Sequence, residues 1–261
     1  MEQSRTLFAL LLFFTFEFDK IIKIYLGRGE AISIVRDIWE GFDFSYLLSI
    51  LLSVVPSLIC ITLHELGHGF VAWKLGDDTA RRAGRLTLNP LKHIDVMGLL
   101  MMVCFHFGWA KPVPVNMFKF RDPKKGMAVT ALAGPITNFL LAFVFMFLYG
   151  LLVHPLSSNE AGRYLLRMLS LGAYISTGLG LFNLIPVPPL DGSKILLSVL
   201  SDENYTKLMH YERYGMIVLI ALVATGVLGR PLSAVISAVY GKILVPVALG
   251  TEELVRPLFY R

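Results

Sequence analysis

Two histidines stand four residues apart, with a glutamate directly after the first, in His64-Glu65-Leu66-Gly67-His68. On an α-helix successive residues advance by about 100°, which puts His64 and His68 about 40° apart and one turn along. Both imidazoles can then reach one zinc ion at about 2.0–2.1 Å. Glu65, one step round, is placed to take a proton from a metal-bound water, whose pKa zinc lowers to roughly 7. A catalytic zinc usually takes three protein ligands and leaves the fourth position for water. The third must come from elsewhere, and the candidate is Asp191 in Asn183-Leu-Ile-Pro-Val-Pro-Pro-Leu-Asp-Gly192. Pro186, Pro188 and Pro189 unwind the chain before the aspartate, and Gly192 frees it to turn afterwards. The competing role for Asp191 is to cap a helix beginning near Ser193. The expected cofactor is one Zn2+ per chain.

The elements that position these groups belong to a membrane protein. Apolar residues make up 55% of the 261-residue chain and charged residues only 16%, against roughly 25% charged in an average soluble protein. Mean hydropathy is +0.65. This excludes an ordinary soluble globule and a disordered chain. Two cysteines, Cys60 and Cys104, exclude a disulfide scaffold and a cysteine-built zinc ribbon. The net charge of +5 reads as basic loops on the cytoplasmic side of a bilayer, not as a nucleic-acid surface. Runs free of Asp, Glu, Lys and Arg extend over 44–63, 126–153 and 168–190, near the roughly 17–25 residues a membrane helix needs. Residues 214–229 and 231–251 read as a helical hairpin broken at Gly229-Arg230-Pro231. In residues 1–43 the apolar stretch 7–16 is expected to be a first span, with a signal peptide or an interfacial helix as alternatives. The chain thus divides into an N-terminal segment 1–43, a membrane core 44–200 and a C-terminal hairpin 201–261.

Between the first two strong spans, Gly108-Trp-Ala-Lys-Pro-Val-Pro-Val-Asn116 cannot be helical. Pro112 and Pro114 lack donors along one edge of an extended chain, whereas Val113 and Val115 keep theirs along the other. The segment is expected to form a one-sided edge strand within a re-entrant loop, with Val113 and Val115 pairing an extended substrate by β-augmentation. Lys74, Arg81, Arg82, Arg85 and Lys92 follow the first strong span, and Lys111 to Lys125 precede the second. That places residues 74–125 and the neighbourhood of Asp191 on the cytoplasmic side. The run 119–125 is expected to anchor on the inner leaflet, and His93 to be a solvated loop residue or to orient substrate or headgroups. Cys60 is expected to pack, with a brush against the site as the alternative.

His64–His68, Gly134-Pro-Ile-Thr-Asn138 and Pro188-Pro-Leu-Asp-Gly192 together resemble the site-2 protease family of intramembrane zinc metalloproteases, peptidase family M50. Leu88-Asn-Pro-Leu-Lys-His-Ile-Asp95 and the stretch 108–116 resemble its compact bacterial members, which lack a PDZ domain. The resemblance covers about residues 45–200. It implies an all-α polytopic membrane fold of about six transmembrane helices, here with a re-entrant β-hairpin-like loop near residues 100–116. It also implies zinc held by His64, His68 and Asp191, with Glu65 as general base. Asn138 matches a family asparagine held to contact substrate or the developing oxyanion; an interhelical hydrogen bond is its alternative, and Asn183 is equally open. The implied partners are transmembrane protein substrates and the lipid bilayer, with no nucleic acid. The rival reading is a membrane zinc or cation transporter, since membrane His and Asp also line ion paths.

Overall fold

A helix surrounded by lipid needs no polar face, because its backbone groups satisfy one another and its outward side chains meet hydrocarbon. The long uncharged runs fold accordingly. The computed structural model describes residues 44–95, 111–201 and 214–259, apart from Met216, Ile220 and Ala224. The expected first span in residues 1–43, and residues 100–110 of the expected re-entrant loop, lie outside them. The helices are α1 (Phe44–Lys74), α2 (Thr79–Arg82), α3 (Pro123–Leu156), α4 (Glu160–Asn183), α5 (Asp191–Ser198), α6 (Gly229–Val239) and α7 (Val245–Val255). A π-helical turn over Tyr240–Leu244 joins α6 to α7. Among the described residues, four helices are long and apolar enough to cross a bilayer: Leu52–Lys74 of α1, α3, α4 and Gly229–Leu258. The described residues contain no strand. Among the described residues, 111–116 form neither strand nor helix.

Two boundaries also differ from the charge-based reading. Helix α4 begins at Glu160, because the Asn159 side chain accepts from the Gly162 amide and caps the first turn. Its first two turns carry Arg163 and Arg167, so the charge-free window starts too late. The C-terminal break lies not at Gly229-Arg230-Pro231 but just before it, in the turn at residues 225–228, where Gly226 takes φ +71°. Pro231 sits in the first turn of α6, where a missing N–H costs the helix nothing.

Helix α3 is the hub, packed against α1, α4, α5 and α7. Asp122 starts it by accepting from the Lys125 amide, and Pro123 occupies the first turn. Every fourth residue from Gly126 to Gly150 (Gly126, Thr130, Gly134, Asn138, Ala142, Met146, Gly150) is buried. Val129, Leu132, Ile136, Leu140, Phe143 and Phe147 are exposed on other faces, where lipid is the natural solvent. The phenylalanine-rich run therefore divides: Phe143 and Phe147 face outward, and Phe145 joins the core with Ile175, Leu179 and Phe182 of α4 and Ile236 of α6.

The segment 111–119 forms a strap tied to the end of α1. Asp77, fully buried, accepts from the Asn116 amide at 2.6 Å, from the Thr79 amide at 3.0 Å and from the Thr79 hydroxyl. At the other end of the strap the Lys111 amide donates to the His93 carbonyl at 2.8 Å, and the Arg85 guanidinium donates to the Lys111 carbonyl. His93 is itself 1% exposed, with Nε2 3.0 Å from the Thr87 carbonyl. This corrects the expectation of a solvated or substrate-facing histidine: it is an internal staple of the loop. Lys119 pairs with Asp78 at 2.6 Å, so it is not wholly given to the leaflet anchoring expected of 119–125.

Burial on its own raises the Asp77 carboxyl, but the Asn116 amide, the Thr79 hydroxyl and amide, and nearby Lys119 outweigh it and hold the group below the ordinary carboxylate value. A lowered folded value means stability that is present above about pH 4 and lost as pH falls through the folded value. The melting temperature in detergent is expected to drop as pH is lowered from roughly 6 towards 3, and Asp77→Asn to melt lower at pH 6 with a flatter profile. At the other end of α3, a Cβ on Gly150 would overlap the Ala248 backbone carbonyl of α7. Gly150→Val is expected to cost about 1–3 kcal/mol by thermal melting. It should leave metal binding unchanged, because Gly134 lies about 24 Å away along the helix.

Candidate metal centre

His64 and His68 project from α1 towards α3, where two glycines let the helices come close. A Cβ on Gly67 would collide with the Thr137 hydroxyl, and one on Gly134 would collide with both imidazole rings. The rings stand edge to face, centroids 4.6 Å apart. Asp191 arrives from the opposite side as the first residue of α5, after the proline-broken stretch 184–190. Gly192 allows this return, since a Cβ there would run into the Leu184 carbonyl. The capping alternative is not what the chain uses: the N-cap position is Leu190, with no side-chain cap, and the Asp191 carboxylate faces the histidines.

Three ligand atoms converge. His64 Nε2 and His68 Nε2 lie 3.0 Å apart, and Asp191 Oδ2 is 3.3 Å from the first and 3.1 Å from the second. Ligand atoms around a tetrahedral ion with bonds of about 2.0–2.1 Å stand roughly 3.3 Å from one another. The donor set fits as well. His68 Nδ1 is 2.7 Å from the Thr130 carbonyl, which can only accept, so the proton is on Nδ1 and Nε2 presents a lone pair. Asp191 Oδ2 is buried and has no hydrogen-bond partner. Two nitrogens and a carboxylate oxygen aimed at one point inside an apolar bundle need a cation between them. These three residues could hold a metal ion.

Glu65 is 5% exposed, and its Oε2 accepts from the Val113 amide at 2.9 Å. The strap is thereby fastened to the site, and the N–H expected to pair substrate is committed to Glu65. Val113 and Val115 both line the cavity at the centre, together with Asn183 and Lys194. Its volume is about 30 Å³, enough for a water or an ion. Asn183 donates to the Leu179 carbonyl at 3.0 Å, while its Oδ1 is buried without a partner. Asn138 is fully buried behind His64, its amide 3.0 Å from Nδ1, and it does not line the cavity. Lys194 escaped the sequence reading. Its ammonium is 3.5 Å from Asp191 Oδ1, the oxygen turned away from the histidines, and an i+3 spacing from Asp191 in a helix was the signal available for it. Cys60 is wholly buried against the Gly172 carbonyl and packs, as expected, without reaching the cavity.

Known proteins resemble the chain over much of its length. The family model described as Peptidase family M50 matches residues 153–228, the segment that carries Asn183 and Asp191. "Putative zinc metalloprotease YwhC" of Bacillus subtilis is 39% identical over 175 residues, 66% of this chain and 80% of that protein. "Putative zinc metalloprotease Rip2" of Mycolicibacterium smegmatis is 30% identical over 191 residues, 71% of each chain. "Putative zinc metalloprotease MJ0611" of Methanocaldococcus jannaschii is 34% identical over 161 residues, 60% of this chain and 76% of that protein. No solved structure matches the chain.

The convergence makes a direct prediction. Metal analysis of detergent-purified protein is expected to find about one bound ion per chain, lost in His64→Ala and Asp191→Ala, because three protein ligands are the usual minimum for such a site. Gly134→Ala is expected to lose the ion too while keeping every ligand, since its methyl group takes the space of the two rings.

Proposed function

The chain belongs to peptidase family M50, and from that premise we propose that this zinc metalloprotease hydrolyses peptide bonds of membrane-spanning proteins, within or beside the bilayer. The observation that carries the reading is the buried triangle of His64, His68 and Asp191 with Glu65 next to it in sequence. A transporter has no use for a carboxylate at position 65 beside the ligands, and the family does not favour that alternative. The basic loops 74–92 and 111–125 support a site on the cytoplasmic side of a cell membrane.

In this reading His64, His68 and Asp191 hold the ion. When bound, zinc polarises a scissile carbonyl and lowers the pKa of a water to about 7. Glu65 takes the proton of the attacking water and returns it to the departing amine, so the base of the first half becomes the acid of the second. Val113 orients Glu65 through its amide. The unpartnered Oδ1 of Asn183 offers an acceptor to a backbone N–H of the substrate. Lys194 faces the outer oxygen of Asp191 and partly balances its charge. A substrate helix keeps its carbonyls in its own hydrogen bonds and must unwind locally to present one. Val113 and Val115 lie where an extended segment would run, and pairing through the Val113 N–H exchanges its bond to Glu65.

Glu65→Gln is expected to keep the metal and to lower cleavage of co-reconstituted, doubly tagged single-span membrane proteins by about 10²–10⁴-fold. Wild-type rates from that variant would remove Glu65 as the base; zinc uptake into sealed vesicles by wild-type protein, without any cleavage, would restore the transport reading.

A further inference from the structure

We propose that Asn138 is a positioning residue for His64: its amide oxygen accepts the Nδ1–H and so holds the imidazole in the tautomer whose Nε2 can ligate. The inference rests on the metal reading above and departs from the substrate or oxyanion role implied for Asn138 by resemblance. Its geometry favours the new role. The side chain is 0% exposed, lies outside the cavity and sits behind the His64 ring, with one amide terminus 3.0 Å from Nδ1.

The chemistry follows from the ring. Nε2 of His64 is the atom facing His68 Nε2 and Asp191 Oδ2. A neutral imidazole that ligates through Nε2 carries its proton on Nδ1 and needs an acceptor there. An amide nitrogen facing Nδ1 suits the opposite tautomer; an amide oxygen facing it suits the ligating one. The two ends of an asparagine amide are nearly equal in shape, so a half-turn exchanges them within the same space. The oxygen, placed at the far end, has no hydrogen-bond partner, so nothing but His64 decides which way the amide faces. The residue is otherwise fixed: the Ser176 hydroxyl donates to the Asn138 carbonyl at 2.8 Å, and Gly134, one turn earlier, backs both imidazoles. His68 obtains the same service from a backbone carbonyl, that of Thr130. Helix α3 thus sets a partner for the outer nitrogen of each histidine on its buried stripe, Thr130 and Asn138, eight residues apart with Gly134 midway between them.

The test compares Asn138→Leu with Asn138→Asp in full-length protein in detergent, reading zinc affinity by competition with a chelator. Aspartate keeps an acceptor but cannot donate, and leucine offers neither. Loss of such a partner typically weakens metal binding by about 10–100-fold. Asn138→Leu is expected to fall in that range, and Asn138→Asp to stay within a few-fold of wild type or bind more tightly. Should Asn138→Leu fail to fold, Asn138→Ala provides the same comparison with less bulk. Unchanged zinc affinity in the leucine or alanine variant, with turnover alone reduced, would overturn the inference in favour of a substrate contact. Equal losses in the aspartate and leucine variants would overturn it in favour of a merely structural role. Wild-type protein that binds no zinc would instead sink the metal reading beneath it.

Discussion

Two imidazole nitrogens and a carboxylate oxygen are held within 3.3 Å of one another inside an apolar bundle, and the rest of the molecule is arranged around that constraint. Ionisable groups at membrane depth cost roughly 2.5–3.5 kcal/mol each on insertion scales. A cation at the centre of the cluster would draw its three sources together. Two of the ligands belong to one turn of α1, so their relative geometry is local. The third comes from a different part of the chain, and the close α1–α3 seam, the proline-broken return and Gly192 all serve to bring it in.

Several polar groups around the cluster are met from α3, from α5 and from the strap. The Thr130 carbonyl and the Asn138 amide meet the outer nitrogens of the two imidazoles, Lys194 meets the outer oxygen of Asp191, and Val113 meets Glu65. The strap is tied at Lys111, Val113 and Asn116, skipping Pro112 and Pro114, which have no N–H to give. The amides of Lys111 and Val113, on either side of Pro112, donate to a carbonyl and a side chain of the same protein.

Much of this could be read from residue types and spacing. His64 and His68 required only helical periodicity, and Asp191 required only that the prolines before it unwind the chain. What could not be read depends on how helices rotate about their axes. Asn138 lies behind a ligand instead of in the cavity because the buried stripe of α3 recurs every fourth residue, and in a helix apolar all round no polar face announces which stripe that is. His93 carries no local sign of burial; it is enclosed only when the strap returns from 111 to cover it. The start of α4 was hidden because the first turns of a membrane helix reach the interface, where Arg163 and Arg167 are at no disadvantage.

The meeting of α1 and α3 at Gly67 and Gly134 has one more consequence. Where helices are spaced by long side chains, a rotamer change can widen or narrow the gap between them; here the main chain of α3 at Gly134 lies directly against both imidazole rings. The imidazoles have no room to retreat towards α3, and the seam acts as a backstop that keeps them up against Asp191.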